Sequence, residues 1–107
     1  MQKTVWVSYD LGVKGDYASL YRWFDNMGAT ECGDGMAYMK ISVEKDVVTP
    51  DYIKTELQAN VTFSKSDRVY VIWSNPDGQA KGRFIIGRRK AAPWAGYGDV
   101  AEVEDDI

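Results

Sequence analysis

Between Thr4 and Leu11 apolar and polar positions alternate. Val5, Val7, Tyr9 and Leu11 share one side and Thr4, Trp6, Ser8 and Asp10 the other, the period-two signature of a strand. After Gly12 and Gly15 the period changes: Tyr17, Leu20, Tyr21, Phe24 and Met27 recur at spacings of three and four. That spacing draws one apolar helical stripe, with Asp16 as N-cap and Gly28 as C-cap. Residues 29–32 and 36–43 read as two extended pieces around Gly33-Asp34-Gly35, a tripeptide suited to positive φ in a turn or bulge. In the second piece Ala37, Met39, Ile41 and Val43 alternate with Tyr38, Lys40 and Ser42. A second helix is predicted from Thr49 as N-cap, with Pro50 at the first helical position and Asp51 where the helix dipole favours an acid, ending near Asn60. Residues 68–74 form the most apolar strand, with Val69, Val71 and Trp73 on one face and Tyr70 and Ile72 on the other, so that both faces ask for cover. Asn75-Pro76-Asp77-Gly78 is a turn, and residues 82–87 return as a further strand beside the preceding one.

The order β-α-β-β-α-β with an added C-terminal strand predicts an α+β, ferredoxin-like sandwich: one antiparallel sheet with two helices on one face. Right-handed crossovers put both helices on the same side, where the first packs against Val5, Val7 and Tyr9. Trp6, Ser8 and Asp10 are then expected on the bare face. An exposed apolar sheet face calls for a partner, and a homodimer is the expected solution, with the C-terminal segment folding back as the alternative cover. A length of 107 residues allows one domain, taken as residues 1–98, followed by an acidic tail, residues 99–107, expected to be disordered.

Composition narrows the class. Apolar residues at 45%, charged residues at 27%, and four Trp, seven Tyr and three Phe belong to a chain that folds. Cys32 is the single cysteine, the first residues have no secretion-signal pattern, and a cytoplasmic location is the expectation. No apolar run approaches the roughly 18 residues that span a bilayer, so no membrane partner is expected. The lack of histidine removes Ser-His, Cys-His and His-zinc chemistry. The net charge of −3 is unevenly spread. Lys81, Arg83, Arg88, Arg89 and Lys90 fall within ten residues that hold no acid, while Asp99, Glu102, Glu104, Asp105 and Asp106 fill a tail that holds no base. An acidic sum therefore does not exclude a basic face on the folded part.

Without histidine, carboxylates holding Mg²⁺ or Mn²⁺ are the most economical catalytic option. With the first two strands parallel, Asp10, Asp16 and Asp34 share one edge of the sheet. Asp16 is also a helix cap and Asp34 a turn residue, whereas Asp10 lacks a local role and competes only with a structural hydrogen bond or salt bridge. Cys32 lies near Glu31 and Asp34 with no base to activate it, and reads as a small, semi-buried residue. Gly12-Val13-Lys14-Gly15 lacks the spacing of a phosphate-binding loop and reads as an ordinary connection. Arg88, Arg89 and Lys90, followed by Trp94 and Tyr97, offer two alternatives. Trp94 packs over the bare sheet face, directed there by Pro93, or the cations neutralise phosphates while Trp94 stacks on unpaired bases.

The strand Val5-Trp6-Val7-Ser8-Tyr9-Asp10-Leu11, ending in Tyr-Asp before an amphipathic helix, and the later strand Asp67-Arg68-Val69-Tyr70-Val71-Ile72-Trp73 resemble the small CRISPR-associated spacer-acquisition nuclease family and the related virulence-associated protein D toxins. The resemblance covers residues 4–74 as an order of elements. It implies a dimeric, ferredoxin-like, metal-dependent endonuclease or nucleic-acid-processing protein in which Asp10 of each subunit holds Mg²⁺ or Mn²⁺ for phosphodiester cleavage. Ser8 would then orient water, while Arg83, Arg88, Arg89, Lys90 and Trp94 contact RNA or DNA. Two departures stand out: Gly12-Val13-Lys14-Gly15-Asp16 replaces the family's basic stretch, and Glu31-Cys32-Gly33-Asp34-Gly35-Met36 its second-strand pattern. A non-enzymatic protein- or nucleic-acid-binding module of the same fold is the alternative.

Overall fold

Seven elements follow one another in the computed structural model, which describes residues 2–98: β1 (Gln2–Asp10), α1 (Tyr17–Asn26), β2 (Thr30–Gly33), β3 (Met36–Ser42), α2 (Thr49–Asn60), β4 (Arg68–Ser74) and β5 (Ala80–Ile86). The acidic tail, residues 99–107, lies outside the described residues. The strands make one five-stranded sheet in the order β2-β3-β1-β4-β5, each neighbouring pair antiparallel. β1 and β2 therefore run the same way with β3 between them, as the first crossover requires. The architecture is α+β, and among the described residues no helix is long and apolar enough to cross a membrane.

One face of the sheet makes the core. Val5 and Val7 of β1, Ala37, Met39 and Ile41 of β3, Val69 and Val71 of β4 and Ile85 of β5 are buried with Leu20, Trp23 and Phe24 of α1 and Ile53 and Leu57 of α2. Each fully buried aliphatic or aromatic side chain contributes about 1.5–3 kcal/mol by leaving water, so this cluster dominates stability. The alternate positions point the other way. Trp6 stands opposite both Tyr38 and Ile72, and Tyr70 opposite both Ser8 and Phe84. None of these belongs to the core cluster.

Two details of the helices depart from the sequence pattern. The buried face of α1 is Leu20, Trp23 and Phe24, while Tyr21 is 51% exposed. Tyr9, at the end of β1, meets Tyr17, Tyr21 and Phe24 ring to ring at 6.4, 6.1 and 5.4 Å, and this aromatic group occupies the rim while Trp23 turns into the core. Burial, reinforced by a hydrogen bond to Tyr21, pushes the Tyr9 hydroxyl up to about 12, so it stays protonated. In α2 the N-cap is Val48, which makes no side-chain cap bond, and Thr49 lies within the helix. Burial of Thr49 and Pro50 against the core, rather than a polar cap, fixes this end.

Two carboxylates tie the loop after β1 to the loop before β4. Asp67, only 1% exposed, accepts the amides of Gly12 and Ser64, both at 2.7 Å. Asp16 caps α1 through the Ser19 amide at 3.3 Å and spends its other oxygen on the Thr62 amide at 3.0 Å. For Asp67 desolvation raises the pKa, yet the amide bonds from Gly12 and Ser64 outweigh it and hold the carboxyl below its ordinary value. At Asp16 the Thr62 amide, then Ser19, lowers it. The sheet ends in two irregular pairings: register shifts occur in β2–β3 between Glu31 and Gly33, and in β4–β5 between Val69 and Tyr70.

A depressed Asp67 pKa places its contribution above the unfolded value of 3.8 and removes it as pH falls through the lower folded value. Asp67→Asn is expected to lose about 2–3 kcal/mol at neutral pH, through one weakened and one opposed amide contact. Urea titrations at stepwise lower pH should show the gap between wild type and variant closing only below pH 3.8.

Candidate functional site

The register of three strands builds a hollow at one end of the open face. Asp10 is opposite Arg68, Ser8 opposite Tyr70, and Tyr70 opposite Phe84. These five residues line a shallow depression of about 210 Å³. Arg68 donates from Nη2 to Asp10 Oδ2 at 3.0 Å, and its guanidinium lies 6.0 Å from the centre of the Phe84 ring. Tyr70 meets Phe84 edge-on at 4.8 Å. The Tyr70 ring leans across Gly82, where a Cβ would run into the phenol, so only glycine leaves room for the ring to lie down.

The hollow is electrostatically mixed. Asp10 is one carboxylate with a side chain 61% exposed, already neutralised by Arg68. Arg68 commits Nη2 to Asp10 and its side chain is 27% exposed, so the terminal nitrogens are its reachable donors; its Nε is buried and finds no hydrogen-bond partner among the described residues. A planar fork with unspent N–H groups is suited to a phosphate or carboxylate oxygen.

The basic run leaves the sheet at this same end. Gly87 has φ +74°, and a Cβ there would strike the Asp67 carbonyl, so the chain turns tightly against the start of β4 as it exits β5. Arg88, Arg89 and Lys90 follow, all exposed. Two further turns, closed by Ala95 N to Ala92 O and Tyr97 N to Trp94 O at 3.0 Å each, carry Trp94 and Tyr97.

The sequence-predicted residues are therefore only partly convergent. Ser8 and Asp10 share the hollow, and Arg88, Arg89 and Lys90 emerge at its end of the sheet. Arg83 is on the helix side instead, paired with Asp51 of α2 at 3.1 Å and 5.9 Å from the Trp73 ring centre. The expected packing of Trp94 over the bare face is not realised: its side chain is 73% exposed, because the turns after Pro93 hold the indole away from the strands. Cys32, expected to be semi-buried, is exposed on the outer strand β2, all four of whose residues are exposed. Asp16 is occupied by two amides, and Asp34 sits in the β2–β3 turn. Among the described residues no group of three or more His, Cys, Asp or Glu side chains converges as for a metal ion.

Sequence reading missed Arg68. Its signal was its place on the Tyr70 and Ile72 side of a strand, but the pairing with Asp10 spans 58 residues and depends on the antiparallel register. Comparison with known proteins finds no matching family model, no matching curated protein and no matching solved structure.

An exposed ion pair contributes little to folding, about 0–1 kcal/mol. Asp10→Ala is accordingly expected to leave the urea midpoint nearly unchanged, in contrast to Asp67→Asn. A large loss would make Asp10 a structural residue.

Proposed function

We propose that this chain is a cytoplasmic nucleic-acid-binding protein of ferredoxin-like topology, with its phosphate contacts at the end of the sheet where Arg68 and the Arg88-Arg89-Lys90 run come together. The strand order, with the fifth strand appended beside β4, supports the topology. The observation that carries the binding reading is the tight turn at Gly87, which brings the exposed cations out beside the partly exposed guanidinium of Arg68. Anionic backbone is the ligand such a cluster attracts, and binding of this kind releases counterions.

Cleavage is the second reading, favoured by one observation: Ser8 and Asp10 line the same hollow as Arg68. Within one chain Asp10 is a single carboxylate engaged by Arg68, which does not by itself make a divalent-cation site. A homodimer that juxtaposes Asp10 of each subunit would supply the paired carboxylates for Mg²⁺ or Mn²⁺. An ion held there would lower the barrier to attack by water and stabilise the charge developing on the phosphate. Ser8 would position the water, and Arg68 would neutralise the phosphate.

Fluorescence anisotropy with labelled RNA and DNA is expected to give an affinity that falls steeply with salt, with a shallower slope in Arg88→Ala/Lys90→Ala. A salt-insensitive affinity would overturn the phosphate contacts. Cleavage in Mg²⁺ or Mn²⁺ by wild type and not by folded Asp10→Ala would establish the nuclease. No cleavage by either leaves a binding protein.

A further inference from the structure

We propose, building on the phosphate-contact reading above, that the open face of the sheet is a stacking platform for the unpaired bases of a single-stranded nucleic acid. The residues are Trp6, Tyr38, Tyr70 and Phe84. They sit in two cross-strand rows fixed by register. Tyr38, Trp6 and Ile72 form one row, and Ser8, Tyr70 and Phe84 the next. A third row is the Asp10–Arg68 pair. All four rings lie outside the core cluster; Tyr38 is 37% exposed and Trp6, Tyr70 and Phe84 are half-buried.

Three features choose this occupant over a second copy of the chain. The first is ring chemistry. The large side chains of the face are mainly aromatic, and a π-face stacks on any base regardless of sequence. The second is charge. Lys40 flanks the rings on one side and the Asp10–Arg68 pair on the other, and Lys and Asp are depleted from the interior of a protein–protein interface. The third is spacing. Rows two residues apart along a strand are separated by about 7 Å, twice the roughly 3.4 Å rise per nucleotide in a duplex strand. Bases that are splayed out fit that interval, whereas stacked pairs do not. Beyond the third row the basic run begins, so a strand laid across the platform has its backbone led to the proposed phosphate contacts.

The test is anisotropy in EDTA with a labelled unstructured oligonucleotide, as RNA and as DNA, and with the same sequence annealed to its complement. The wild-type protein is expected to prefer the single strand. Trp6→Leu and Tyr38→Leu keep apolar bulk on an uncovered face and remove the ring, and each should weaken single-strand binding about 5- to 150-fold while sparing the duplex. Trp6→Phe and Tyr38→Phe keep a ring and should stay within about threefold. Equal, salt-sensitive binding of both forms, unaffected by the Leu variants, would overturn the platform and leave the phosphate contacts standing. Loss of salt-sensitive binding to both forms in the wild type would overturn the two together. Sedimentation showing a wild-type dimer that survives Trp6→Leu but dissociates in Trp6→Asp, with no single-strand preference, would assign the face to a second copy and overturn the platform.

Discussion

β1 is hydrogen-bonded along both edges, to β3 on one side and β4 on the other, and this double pairing is the constraint on which the rest depends. A strand so held cannot slip by one residue without sending Val5 and Val7 into water and Trp6 into the core. Because the helices seal one side only, the same alternation that builds the hydrophobic core also lays out the open face. Stability and site geometry are thus two readings of a single register. The positions of Asp10, Ser8 and Trp6 relative to Arg68, Tyr70 and Ile72 follow from burying Val7 against Val71.

The loops at the far end of β1 hold that register in place. Asp67 and Asp16 each spend both oxygens on amides, two of the four contacts joining loops that are distant in sequence. Asp67 is directly followed by Arg68, so fixing the buried carboxylate also fixes where β4 begins. The tight passage of Gly87 against Asp67 then sets where β5 ends. A buried structural acid, a half-buried arginine and the exit of the basic run are therefore parts of one local arrangement.

Much of this was legible in the chain because strands and helices of strong periodicity declare themselves. The strand at 68–74, the helix ending near Asn60 and the face shared by Trp6, Ser8 and Asp10 all follow from local pattern. What escaped was decided by contacts between distant segments. Trp23 lies off the stripe that spacing alone draws, and only the aromatic group around Tyr9 explains why it is the residue turned inward. Arg83 looks like part of a basic run, yet the strand's alternation sends it to the helix side, toward Asp51 and Trp73. Trp94 has the composition of a covering residue but its turns give it an outward course. Asp67 reads as a polar residue before a strand, and nothing local announces that it is buried.

The register shifts in the two outermost strand pairs bear on how the protein behaves when crowded. A flat outer strand offers its free N–H and C=O groups as a template on which further chains add, the route to fibrils. Here β2 is only four residues long with an irregularity at Glu31–Gly33, and the β4–β5 pairing is broken beside Val69, with Lys81 and Arg83 on the outer strand. Short, bent and charged margins resist that kind of growth. The molecule can therefore leave one face of its sheet without helices, its rings partly exposed, without the sheet propagating sideways into an aggregate.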